Sequence, residues 1–277
     1  MNNIINWFAE PLAYTFMQNA LWTALIVGVI CAVLSCYLIL KSWALMGDAI
    51  SHAILPGVVI AYTTGIPLIA GAFGAGVICS LTIGYLKEHS RIKEDTVMGI
   101  VFSGMFALGL VMFVKAKPAQ HLTHILFGNL LGVSTAEVIQ TLIISTIIFL
   151  IVVLKRRDFL LYCFDPTHTK VSGLSPRVLH YSLLALLSLT IVTAMQVVGV
   201  ILVVAMLISP GITAFVLTKR FDMMLVIAIV VSVTTSVFGT IVSYHINGST
   251  GACIVILQAI MFSLSLSYTK FKNQLKN

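Results

Sequence analysis

An acid and a histidine stand four residues apart in Met46-Gly47-Asp48-Ala49-Ile50-Ser51-His52-Ala53-Ile54-Leu55-Pro56-Gly57, within a segment otherwise free of charge. On a helix, positions i and i+4 share one face a turn apart, so the Asp48 carboxylate and the His52 imidazole can reach one point. Carboxylate oxygen suits Mn(II), imidazole nitrogen suits Fe(II) and Zn(II), and no thiolate accompanies them, so the pair has the chemistry of half a site for a divalent first-row ion. A competing reading makes Asp48 a helix cap after Gly47 and His52 a hydrogen-bonded core residue. That reading explains Asp48 better than His52, and depth within the fold decides between the two.

The elements that carry the pair follow from composition. The 277 residues are 59% hydrophobic and only 9% charged, with a mean hydropathy of +1.07. This is the profile of an all-α integral membrane protein and leaves no soluble domain over, so residues 1–277 read as one transmembrane domain. At membrane depth an ionisable side chain costs about 2.5–3.5 kcal/mol on insertion scales, so Asp48 needs a partner or a water-lined path. The first forty residues hold no Lys or Arg. They lack the basic start of a cleaved signal, and the first apolar run is expected to stay in the protein. Cys31, Cys36, Cys79, Cys163 and Cys253 form no CxxC pair and read as packing residues.

The net charge of +7 does not point to nucleic acid. Lys41, Lys87 to Lys93, Lys155 to Arg177, Lys219-Arg220 and Lys270 to Lys276 lie at the ends of apolar runs, which marks cytoplasmic loops. With about 20 residues per crossing, the expected spans are Leu12–Leu40, a segment carrying Asp48 and His52 to Thr64, Pro67–Leu86, one ending near Val114, and Glu137–Leu154. A charge-free run from Tyr181 to Thr218 folds back near Gln196 and Gly199, and Met223–Tyr244 and Gly251–Tyr268 complete the set. The total is eight to nine helices, one of them broken or re-entrant, multi-pass, with the N-terminus outside and the C-terminus cytoplasmic. Ser209-Pro210-Gly211 is the expected break, because proline removes a donor and glycine frees the backbone. Gly71, Gly74 and Gly76 are expected to allow close helix packing.

The chain has no GxxxxGK[ST] loop, no HExxH and no GxSxG, so neither ATP hydrolysis nor proteolysis is expected of it. At this point Met46 to Gly57 closely resembles the signature of the membrane permeases of zinc, manganese and iron ABC importers. Ile92 to Ile100, His124 to Asn129, Phe164-Asp165-Pro166-Thr167-His168 with Gly173-Leu174, and Val198 to Pro210 resemble that family in the same order. The overall similarity is greatest to the manganese and iron(II) permeases. The resemblance implies a type II ABC-importer-like permease in a bacterial cytoplasmic membrane. It also implies a dimer of this chain with a second copy or a related permease, set on two cytoplasmic ATPase subunits that bind the ATP. An extracytoplasmic metal-binding protein would feed the dimer, and Asp48 and His52 would line the path. The metal is then cargo, and the chain needs no cofactor of its own. The alternative is a secondary metal transporter driven by an ion gradient, which calls for more intramembrane acids than Asp48 alone.

Secondary positions follow. His121 and His124 are candidates for metal entry on the outer side, against the ordinary reading of solvated loop histidines. In the inner loop 155–177, Asp165 caps a short helix that Pro166 begins and Gly173 ends. This loop and segment 218–223, with Lys219, Arg220, Phe221 and Asp222, are the two candidate ATPase contacts. Their competing roles are connector and topology anchor.

Overall fold

The computed structural model describes residues 7, 10–116 and 130–274. Among them the regular elements are all helical: α1 (Thr15–Leu40), α2 (Met46–Ala53), α3 (Leu55–Thr64), α4 (Leu68–His89), α5 (Glu94–Ala116), α6 (Thr135–Leu154), α7 (Arg156–Phe164), α8 (Pro166–Val171), α9 (Pro176–Val198), α10 (Val200–Leu217), α11 (Phe221–Ile246) and α12 (Thr250–Gln274), with a short 3-10 turn at Leu130–Gly132. Eight of these are long and apolar enough to cross a membrane. The α2–α3 pair, 8 and 10 residues long, lies between the first and second of these spans.

Cross-helix contacts set the directions. The Gly211 amide donates to Ser35 while a side chain at Gly28 would meet Met206, so α10 runs parallel to α1. Ser236 donates to the Ala24 carbonyl, and Met224 lies beside Cys36, so α11 runs antiparallel. Ser80 and Ser188 share a hydrogen bond of 3.0 Å, and Gly84 lies against His180, so α4 and α9 are antiparallel too. All the basic clusters therefore fall at one end of the bundle, and Lys115 falls at the other. Helix α1 is central: 72% of its apolar window is buried, against 22% for α5, α6 and α12, which present apolar side chains outward as lipid-facing helices do.

The break in the bundle is not where proline in Ser209-Pro210-Gly211 places it. Those three residues lie inside an uninterrupted α10. The Ser35 hydroxyl of α1 accepts from the Gly211 amide at 2.9 Å and donates to the Ile208 carbonyl at 3.3 Å, so a neighbouring helix satisfies backbone groups on either side of Pro210. The interruption falls instead at Ile54, between α2 and α3. Pro56 has no N–H for the His52 carbonyl one turn back, while the Ile54 amide still bonds the Ile50 carbonyl at 3.2 Å and Ile54 keeps helical angles, so one helical bond is lost there without a turn of the chain. The fold-back between α9 and α10 takes a single residue, Gly199, at φ 83°, a conformation that glycine adopts without a Cβ clash. Gln196 belongs to α9 rather than to the turn.

Of the three glycines expected to pack closely, Gly71 meets Gly57 backbone to backbone and Gly76 faces Ile50 and Ser188, whereas Gly74 faces open space. The connector follows its expected form, with α7 added ahead of it. Leu174 donates to the Thr169 carbonyl and Gly173 to that of Lys170, with Gly173 at φ 79°. This paired end motif closes α8.

Candidate metal site

Asp48 lies in the first turn of α2 and His52 in its last. The carboxylate therefore faces the positive end of the helix dipole and the imidazole its negative end, the favourable arrangement for each. The residue preceding α2 is Leu45, which makes no side-chain cap, so Asp48 is not the cap that the competing reading required. Depth is equally clear. Gly47 packs on Leu207, Ile50 lies by Gly76, and the His52 ring stands 5.2 Å from Phe106 and 6.1 Å from Phe102. All are central residues of α10, α4 and α5, so the pair sits near mid-depth rather than at the membrane edge.

The two side chains are close enough to bind one ion together. His52 Nε2 is 3.4 Å from Asp48 Oδ1, and the two side chains keep 38% and 41% of their surface open. Ala49, Ile50, Ser51 and Ala53, on the other faces of α2, are buried, so the helix is fixed from behind while its one polar face looks outward. Ser51 turns its hydroxyl back onto the Gly47 carbonyl at 2.7 Å and offers nothing to that face. Among the described residues no group of three or more His, Cys, Asp and Glu is close enough to hold an ion. The cysteines are free, and burial pushes the Cys163 thiol of the connector up to about 12, so it does not serve as a thiolate ligand. The aromatic wall of Phe102 and Phe106 has no counterpart in the motif reading. Its only sequence signal is two phenylalanines four apart on α5, beyond the intervening α4.

His121 and His124 lie outside the described residues. Glu137, on the same side, forms a capping box with Ser134: its carboxylate accepts the Ser134 amide at 2.8 Å, and the Ser134 hydroxyl accepts the Glu137 amide. His245 stacks on Trp7 at 4.5 Å and bonds its carbonyl. Both are structural roles.

The two candidate ATPase contacts are joined. Arg156, at the start of α7, forms an ion pair with Asp222 at the start of α11 and stands 5.9 Å over the Phe221 ring. Phe221 and Phe159 both pack on Tyr37 near the end of α1, at 5.1 and 6.1 Å. Lys219 and Arg220 form the exposed link before α11, where the Arg220 amide bonds Thr218. Asp165 accepts the amides of Thr167 at 2.8 Å and His168 at 3.0 Å, with Pro166 first in α8. These N–H groups, His168 first, hold the Asp165 carboxyl below the usual carboxylate range. A depressed value means that the cap is fully present above the ordinary carboxylate pKa of about 4 and is lost only as pH falls through the depressed one. Asp165→Ala is therefore expected to speed amide exchange at Thr167 and His168 at neutral pH, where the wild type stays protected.

The description "ABC 3 transport family" matches residues 13–269. A Haemophilus influenzae protein named "Probable iron transport system membrane protein" is 66% identical over 97% of this chain and 99% of its own. "Manganese transport system membrane protein MntB" of Synechocystis is 50% identical over 94% and 85% of the respective chains. The solved structure "PsaBC from Streptococcus pneumoniae in complex with Fab" superposes with a TM-score of 0.85 at 37% identity, covering 97% of this chain and 99% of that one.

Proposed function

The chain belongs to the ABC 3 transport family, and on that premise we propose that it is the permease subunit of an ATP-driven importer for a divalent transition metal. Mn(II) and Fe(II) are the favoured cargo, following the names of its relatives, with Zn(II) as a further cargo. The observation that carries this reading is the Asp48–His52 pair, near mid-depth, fixed from behind and half open on its polar face. Two ligands do not fill the shell of Mn(II) or Fe(II). A two-fold axis through that open face would bring together four, from a second copy or from a related permease with the same residues.

In this reading the whole chain is one membrane domain in a bacterial cytoplasmic membrane. The basic end of the bundle lies inside with the C-terminus, and the N-terminus lies outside. ATP binds to two partner ATPase subunits, and an extracytoplasmic metal-binding protein delivers the ion, with His121 and His124 as candidate entry residues. Vesicles holding the full assembly should take up Mn(II) only with ATP and both partners. Uptake by the permease on an ion gradient without ATPases would overturn this in favour of a secondary transporter.

Coupling is assigned to α7–α8, with Asp165 and Pro166, and to the segment Lys219-Arg220-Phe221-Asp222. Support comes from the Arg156–Asp222 pair, which ties the two segments and through Tyr37 engages α1. Both partners are substantially exposed, at 40% and 71%, so Arg156→Gln should cost at most about 1 kcal/mol of stability. The metal moved per ATP hydrolysed should fall nonetheless. Exchanging the charges in Arg156→Asp with Asp222→Arg should restore it, which a mutant cycle measures.

A further inference from the structure

We propose that Phe102 and Phe106 of α5 are positioning residues for the metal: they clamp the His52 imidazole so that its Nε2 faces the Asp48 carboxylate and an ion between them. The inference rests on the reading of the Asp48–His52 pair as the metal site and adds two residues to it. A metal-ligating imidazole is ordinarily oriented from behind, by a hydrogen-bond acceptor on its second nitrogen. Among the described residues the His52 ring is held differently. Its contacts are the Asp48 carboxylate, 3.4 Å from Nε2, and the two phenyl rings.

The ring geometry is that of a clamp. Phe106 meets the imidazole edge to face, with centroids 5.2 Å apart and planes at 71°. Phe102 lies more nearly parallel to it, at 6.1 Å and 30°. Both separations fall in the range of about 4.5–7 Å at which aromatic pairs attract. Two rings at different inclinations oppose rotation about both torsions of the His52 side chain. They orient the imidazole without the hydrogen bond that would raise its basicity, which suits a ligand that must let its ion go.

The clamp is itself held in place. Phe102, Phe106 and Gly109 stand at i, i+4 and i+7, one stripe of α5. A Cβ at Gly109 would lie 2.9 Å from Leu55 Cβ and from Pro56 Cδ, so the missing side chain lets α5 close on the junction of α2 and α3. Leu55, on the far side of that contact, is 3% exposed. At the other end of the stripe, one turn before Phe102, Met98 is 1% exposed. The stripe is thus packed at both ends, with the two half-buried rings between them against His52.

The test uses the purified transporter assembly, stripped of metal and titrated with Mn(II). Electron paramagnetic resonance of the free ion gives the affinity, and the hyperfine coupling of the bound ion reports nitrogen ligation. Phe106→Leu keeps an apolar side chain, so the thermal midpoint should stay near that of the wild type. Its Mn(II) affinity should nonetheless fall about tenfold or more, as when other groups that orient a ligand are removed, and the nitrogen coupling should weaken. Phe102→Leu should do the same to a smaller degree, because its ring stands farther off. Phe106→Tyr, which puts an aromatic ring back, should restore affinity and coupling. Wild-type affinity and coupling in both leucine variants would overturn the proposal and leave the rings as packing alone. A loss in Phe106→Leu that Phe106→Tyr does not restore would overturn it too. A wild-type ion without nitrogen coupling would overturn the metal-site reading together with the clamp, so the two failures are distinguishable.

Discussion

Replacing Asp48 or His52 with alanine is expected to reduce metal uptake by about 100-fold or more, because changes one shell further out already cost 10- to 100-fold in affinity at metal sites. Each substitution removes two ligands from a symmetric pair and only one from a mixed pair. Stability should change little, since both side chains are about 40% open and only the His52 ring packs further, on Phe102 and Phe106 among the described residues. That separation makes the prediction sharp: uptake collapses while the assembly still forms and binds ATP. Uptake at the normal rate in both variants would remove the pair from the path and move attention to His121 and His124.

The second large effect is structural. A Cβ at Gly57 would overlap the Gly71 carbonyl, and one at Gly71 the Gly57 carbonyl, so backbone meets backbone and no flexible side chain can yield. Gly57→Val must push α3 and α4 apart, at a cost of about 3 kcal/mol or more. Gly57 follows the Ile54 break by three residues, so separation there also shifts α2 and its polar face. Thermal unfolding of the purified chain should show a large fall for Gly57→Val. Gly74→Ala, facing open space, should be neutral or slightly stabilising, because alanine suits a helix better than glycine. Equal losses in both would mean that helix propensity and not close approach governs this pair.

Much of this was legible in the chain itself, and the exceptions have physical causes. Among the described residues, the eight spanning helices follow from apolar length and from basic clusters that fall at one end. Asp48 and His52 are legible because i and i+4 share a face and a carboxylate at that depth needs a reason. Pro210 misleads because the residue that satisfies its surroundings, Ser35, lies 176 positions before Gly211, whose amide it accepts, beyond the reach of any local rule. The break at Ile54 is hidden for the complementary reason: Pro56 reads as part of a motif and not as a missing donor. Phe102 and Phe106 are ordinary apolar residues until packing sets them against His52. The Arg156–Asp222 pair links two segments that charge alone marks only as topology anchors.

The most direct test of the shared site is the number of Mn(II) ions held by the purified permease assembly, stripped of metal and then titrated, with electron paramagnetic resonance reporting the ligand type. The account predicts one ion for each pair of permeases, with imidazole nitrogen in its shell, and none in His52→Ala. One ion on every chain, or the same ion and spectrum in His52→Ala, would contradict it.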